Sequence, residues 1–256
     1  MFEEPYRWVE AIQNRRDYLQ EQLSGGSPVV ALPYDKGILF ATVGKGSAKL
    51  FEIYDLIALG GIGHPADLEK LRNVVLDISH VEGFNRSPGD VTIRRLMKFG
   101  LAPMVKQAFE EVLHAPYIVK ILMAEISPVS GKRLFFRLNY DGVFDEADHG
   151  MVLAGDAETT KRMESYFETI DKKSDPPLKK TLQAALRLWA ISISPSPDDE
   201  KKAGSLPGNG ELDRLLKKHL KDHEIELAFL DQTQAGSAKF RISSQKEIQA
   251  GLKGWL

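Results

Sequence analysis

No cysteine occurs among the 256 residues. Neither a disulfide nor a thiolate metal site is available to such a chain, which suits a reducing compartment. No apolar run approaches the roughly 20 residues that cross a bilayer. The first residues, Met-Phe-Glu-Glu-Pro-Tyr-Arg, lack the basic start and apolar core of a secretory signal. An excess of charge of one sign is missing too: 34 Lys and Arg stand against 36 Asp and Glu, a formal net charge of -2. That leaves no electrostatic case for nucleic acid. The basic cluster Arg214, Lys217, Lys218 and Lys221 is offset by Asp213, Asp222 and Glu224 and reads as a solvated helix face. The expectation is a cytoplasmic chain with neither membrane nor nucleic acid as partner.

Several chemical signatures are incomplete. Gly44-Lys45-Gly46-Ser47 invites a phosphate-loop reading, but Leu39 stands where that loop needs its first glycine. Ser47 is not framed as Gly-x-Ser-x-Gly, because lysines flank it. Gly60-Gly61-Ile62-Gly63 lacks the spacing and acidic partner of a dinucleotide fingerprint and points to close strand packing or a turn. His219 and His223 lie four apart, a metal-compatible spacing, yet a site needs three or four ligands. No metal and no cofactor are expected, and Asp198-Asp199-Glu200 reads as a solvated charge run.

What is present is periodic apolar structure, with hydrophobic residues making up 43% of the chain, enough for a sizeable core. Pro5 to Leu23 reads as a helix with Trp8, Ile12 and Leu19 near one stripe, stopped by Ser24-Gly25-Gly26. Val29 to Tyr34 and Ile38 to Val43 form a hairpin about Asp35-Lys36-Gly37. Lys49 to Ile53 and Leu56 to Ile62 are two further strands. A helix starts at Pro65 and breaks over Gly83 to Gly89; Asp90 or Thr92 caps the next one, with a kink expected at Pro103. Strands return at Tyr117 to Ile126, Leu134 to Leu138 and Met151 to Ala154. Helices Glu158 to Ile170 and Leu178 to Ile193 follow, then a flexible linker from Ser194 to Gly210 and a helix from Glu211 to Lys221. Ile225 to Leu230 and Ala238 to Ile242 close a hairpin, and Ser243 caps a terminal helix. Strands cluster instead of alternating singly with helices, which argues for antiparallel sheets covered by helix pairs, an α+β fold.

The run Gly26 to Thr42, Gly-Ser-Pro-Val-Val-Ala-Leu-Pro-Tyr-Asp-Lys-Gly-Ile-Leu-Phe-Ala-Thr, resembles the opening sheet of proteasome subunits. Ala48 to Asp55, Gly61-Ile62-Gly63 before Pro65-Ala66-Asp67-Leu68, Asp90-Val91-Thr92 and Pro116-Tyr117-Ile118-Val119 continue the likeness in order. Ile225 to Asp231 and Phe240-Arg241-Ile242 are similar to the closing hairpin of actinobacterial α subunits. The resemblance implies a four-layer αββα sandwich of the Ntn-hydrolase kind. Residues 1–24 would be an N-terminal extension and 25–256 the subunit domain, with 194–222 as a linker and extra helix before the last hairpin.

Within that family, catalytic β types expose an N-terminal threonine whose own amine is the general base. The matching position here is Ser27, followed by Pro28, which restricts the backbone before it. Val43 stands where the acid supporting the catalytic lysine belongs, Asp156 falls near the serine of the amine network, and only Lys49 survives. The resemblance therefore implies a non-catalytic α type with no catalytic residue. Its partners would be copies of itself in a heptameric ring, proteasome β subunits, a ring-shaped AAA+ ATPase activator and unfolded protein substrates. Met1, Phe2, Glu3 and Glu4 would act as a gate, although the Tyr-Asp-Arg gating motif of archaeal and eukaryotic α types is absent. Trp8, Ile12 and Leu19 would pack either across the ring or on the chain's own core, and Lys49 would dock the activator. The alternatives are an autoprocessed β-type hydrolase using Ser27, and a non-proteolytic proteasome-like homo-oligomer.

Overall fold

The computed structural model describes residues 5–111, 113–170, 175–195 and 206–256. Its strands are explained by which apolar layer each face meets. In β1 (Val29–Tyr34) and β2 (Gly37–Gly44) almost every residue is buried, with no polar face. Alternate residues go to opposite layers. Val29, Ala31, Ile38 and Phe40 enter one core, while Val30, Leu32, Leu39, Ala41 and Val43 enter another. The same division holds in β5 (Val119–Ile126): Leu122, Ala124 and Ile126 join the first core, and Val119, Ile121 and Met123 a third.

Two five-stranded antiparallel sheets result. One runs β10-β9-β2-β1-β8, built from β1, β2, β8 (Met151–Leu153), β9 (Glu224–Asp231) and β10 (Phe240–Ile242). The other runs β3-β4-β5-β6-β7, from β3 (Leu50–Tyr54), β4 (Ile57–Gly63), β5, β6 (Arg133–Leu138) and β7 (Phe144–Ala147). Helices α5 (Ala157–Phe167), α6 (Leu178–Ile191), α7 (Asn209–His219) and α8 (Gln245–Leu252) contribute to the core on the outer face of the first sheet. Helices α2 (Pro65–Asn85), α3 (Ile93–Arg95) and α4 (Ala102–Glu110) cover the second. The middle core, between the sheets, completes the expected αββα sandwich.

The first helix, α1 (Pro5–Ser24), divides along its length. Leu19 and Leu23 are fully buried in the inter-sheet core, and Ile12 packs at its edge. Trp8 is 52% exposed and Val9 65% exposed. Leu19 is therefore buried by its own chain, the second of the two packings that the sequence left open. The Arg15 guanidinium also ties α1 down. It donates to the carbonyls of Phe109 (2.8 Å), Glu111 (2.9 Å) and His114 (2.6 Å), at and beyond the C-terminal end of α4, where carbonyls lack intrahelical donors.

Several local expectations are corrected. Gly83 does not end α2, which continues to Asn85. Thr92 precedes α3 but makes no capping bond; the buried carboxylate of Glu125, far along the chain, accepts the Ile93 N–H instead. In place of a simple kink at Pro103, residues Leu96–Leu101 form a π-helical segment leading directly into α4. Proline in the first turn of α4 has no N–H to donate, and the wider π turn accommodates its ring. β7 falls where a loop is expected, because Phe-Asp-Glu-Ala is a short edge strand with two exposed acids at its centre. Ser244, not Ser243, caps α8 through a reciprocal box with Glu247. The glycine pair in β4 has the packing role expected of it: a Cβ on Gly61 would lie 2.2 Å from Leu68 of α2. Most of the expected linker, including Asp198-Asp199-Glu200, lies outside the described residues. No helix among the described residues is long and apolar enough to cross a membrane.

Candidate functional site

At the end of the sandwich where α1 turns into β1, a cleft of ≈ 760 Å³ opens between Ser27, Lys49, the start of α5 and the end of α7. The segment leading into it is fixed by backbone contact. The Gly26 N–H donates to the Leu23 carbonyl at 2.9 Å. Across from it, Gly155 lies so near that a Cβ there would stand 2.0 Å from the Leu23 carbonyl oxygen. Lys120, reaching over from the second sheet, donates to the carbonyls of Ala154 (3.2 Å) and Gly155 (2.8 Å). The end of the extension, β8 and β5 are thereby held in one corner.

Ser27 is half-buried, and its hydroxyl is engaged both as donor and as acceptor. It donates to the Val43 carbonyl and accepts the indole N–H of the buried Trp189 at 3.0 Å. Neither partner can take its proton: a backbone carbonyl is already its acceptor, and an indole N–H only donates. Pro28 is buried and its carbonyl accepts the Thr42 hydroxyl at 2.7 Å, so the strand start is locked as well. The apolar Val43 side chain, fully buried, belongs to the outer core. Asp156 is spent as the cap of α5, accepting the Thr159 N–H at 2.7 Å. A nucleophile, its base and an orienting group have to coincide in one place. Of these, the cleft offers a committed hydroxyl and a lysine.

Lys49 stands at the foot of β3, half-buried on the cleft wall. Burial pulls its ammonium down from the ordinary lysine range, against the opposing attraction of Glu226. Glu226, on β9, braces the same corner: its carboxylate accepts the Lys49 and Leu50 backbone N–H groups, each at 3.1 Å. Burial pushes the Glu226 carboxyl up, opposed by those two N–H groups and by the Lys49 charge. A partly desolvated ammonium on a rigid strand end is a cation for which an incoming carboxylate is a good partner.

His219 and His223 also face this cleft. Their rings stack on one another, and no group of three or more His, Cys, Asp or Glu suited to a metal occurs among the described residues. The Gly44–Ser47 stretch starts on the last residue of β2 and leads to β3, so no helix N-terminus lies behind it to hold a phosphate. Met1, Phe2, Glu3 and Glu4 lie outside the described residues. Trp189, Lys120 and Glu226 went unnoticed in the sequence. Glu226 carried a faint signal, as a single acid amid the apolar run Ile225 to Leu230.

No protein-family model matches the chain. It is 32% identical to the proteasome subunit alpha of Actinosynnema mirum over 222 residues, 85% of this chain and 77% of that one. It is 33% identical to the proteasome subunit alpha of Sanguibacter keddieii over 240 residues, 91% of this chain and 83% of the relative. The proteasome subunit alpha of Frankia alni is 28% identical over 239 residues, 91% and 89% of the two chains. With relatives of that name matched over most of their length, and with the two-sheet sandwich and tied-off Ser27 corner in hand, the chain belongs to the proteasome α-subunit family.

Proposed function

We propose that this chain is a non-catalytic α subunit of a bacterial proteasome core particle, forming an outer ring with copies of itself and stacking on β subunits that carry the peptidase activity. The observation that carries this reading is Ser27. Its hydroxyl is bonded on both sides, and an anchored helix precedes it where a β type would be cut. The particle would work in the cytoplasm on unfolded protein chains. Trp8 and Val9, exposed on the outer half of α1, fit a contact with a neighbouring subunit. Lys49 fits capture of the C-terminal carboxylate of a ring-shaped AAA+ ATPase, in a heptameric ring where each cleft lies against the next subunit. Residues Met1 to Glu4 are proposed as the plug of the entry pore, on the strength of the sequence resemblance.

The purified chain by itself is expected to show no peptidase activity, and Ser27→Ala is expected to leave peptide hydrolysis by the assembled particle unchanged. Loss of hydrolysis in Ser27→Ala with assembly intact would make this a catalytic subunit and overturn the reading. Deleting Met1 to Glu4 leaves the packed half of α1 in place. Casein-sized unfolded chains should then be degraded faster by the particle, with tripeptide hydrolysis little affected. Equal rates for both substrates before and after the deletion would remove these residues from the gate.

A further inference from the structure

The outer wall of the cleft is built from side chains that activator docking at Lys49 does not use. α7 ends at His219, and a short turn brings His223 back over it before β9 begins. The two imidazoles stack with centroids 3.8 Å apart and 19° between their planes. His219 lies in turn 5.1 Å from the ring of Trp189, the residue that holds Ser27. His223 Nδ1 is 3.3 Å from the His219 carbonyl oxygen, which fixes the second ring over the first.

The charges around this pair come from every neighbouring element. Lys45 and Lys49 lie between β2 and β3, Asp222 in the α7–β9 turn, His64 at the start of α2 and Asp156 at the start of α5. The acids are mostly committed elsewhere. Asp156 caps α5, and Glu226 holds the Lys49 and Leu50 N–H groups. His64 accepts the Ala66 N–H through Nδ1. Of the acids that line the cleft or act on His219, Asp222 is the one left beside the stack, against Lys45 and Lys49. The cleft is therefore a place where added positive charge lacks enough negative charge to answer it.

We propose that the His219–His223 stack is a second, pH-dependent cationic element of this cleft, which binds an anion jointly with Lys49 when the imidazoles are protonated. The docking reading enters only in making the natural anion a peptide carboxylate; the anion site itself stands on the cleft geometry. Two charged rings stacked this closely repel, and an anion beside them relieves the repulsion. Burial, the neighbouring His223 and Lys45 hold His219 below the usual imidazole range, with Asp222 opposing. A folded-state value below the unfolded one means stability is fully present above the ordinary histidine range and is lost as pH falls through the lowered value. An anion reverses that loss. By linkage, its affinity must rise as the imidazoles take up protons.

Inorganic sulfate is the probe, because its charge is constant between about pH 5.5 and 7.5, so any pH dependence belongs to the protein. Titrations by calorimetry use the full chain, the His219→Gln/His223→Gln double variant, the milder His223→Gln and Lys49→Ala. Thermal melts at about pH 7.5 verify folding. Wild type should bind sulfate at least about tenfold more tightly at the lower pH. The double variant should lose that difference, His223→Gln should reduce it, and Lys49→Ala should weaken binding at both pH values. A pH-independent wild type, a double variant that keeps the difference, or no saturable binding at the lower pH would overturn the proposal. A peptide with a free C-terminal carboxylate, copied from an activator tail, tests docking separately. If it fails to bind at either pH while sulfate shows the expected pattern, the docking reading falls and the anion site stands.

Discussion

Lys49→Ala is expected to abolish stimulation of the particle by the proposed ATPase activator, while ring assembly and the hydrolysis of small peptides stay at wild-type levels. Among the described residues the side chain that is removed makes no hydrogen bond to the backbone; the corner is braced by the Lys49 and Leu50 backbone N–H groups on Glu226, which an alanine preserves. What disappears is the cation on the cleft wall. A hydrogen bond to a charged group contributes about 1.5–3 kcal/mol. That corresponds to roughly ten- to a hundredfold in affinity at each cleft. Several tails engaging one ring multiply the loss, because each bound tail raises the effective concentration of the next. Binding of a tail peptide to the variant with wild-type affinity would reduce Lys49 to a surface charge and move the docking site elsewhere.

Trp189→Ala is expected to have the largest effect on the stability of the chain. Trp189, on α6, is 2% exposed and packs in the outer core. Truncating a buried tryptophan costs about 3–5 kcal/mol. In a chain of this size that lowers the melting temperature by about 6–20 °C, at roughly 2–4 °C per kcal/mol. The loss reaches the cleft directly, since the Ser27 hydroxyl loses its donor and His219 loses the ring beside it. Trp189→Phe separates the contributions: it keeps most of the apolar volume and removes the N–H, at a cost of about 1 kcal/mol. Thermal unfolding followed by circular dichroism measures both. If Trp189→Ala melts within a degree of wild type, the indole does not anchor this corner.

The clustered antiparallel strands were legible because most are apolar runs with turn chemistry at their ends, while the four-layer sandwich was implied by the family resemblance. β1 and β2 pair about Asp35 and Lys36 as that turn requires, with Val29 opposite Thr42 and Tyr34 opposite Gly37. β7 was not legible. Phe144–Ala147 holds two exposed acids at a sheet edge, and an edge strand carries little periodicity. The π-helical turn before Pro103 was also hidden, since local propensity says only that a proline disturbs a helix, not how the backbone absorbs it. Leu19 and Trp8 share one helical stripe, yet one is sealed between the sheets and the other lies open. Periodicity gives the face and not the neighbour. In the cleft, Ser27, Val43 and Lys49 were placed by resemblance to a family. The residues that commit Ser27 and brace Lys49 were not: Trp189 lies 162 positions from Ser27, and Glu226 lies 177 from Lys49. Contacts that distant are decided by topology, and a single sequence does not display them.

The chain's place in a proteasome is tested most directly by the assembly that it forms. It is to be co-expressed with a proteasome β subunit, purified by size, imaged by electron microscopy and weighed by intact-mass spectrometry. The account predicts a barrel-shaped particle whose outer rings are this chain, retaining residues 1–26 and Ser27 as an internal residue, with all peptidase activity lost when the β nucleophile is replaced. A chain shortened to begin at Ser27, with activity that survives loss of the β nucleophile, would contradict it. So would a chain that stays apart from the β subunit and assembles only with itself.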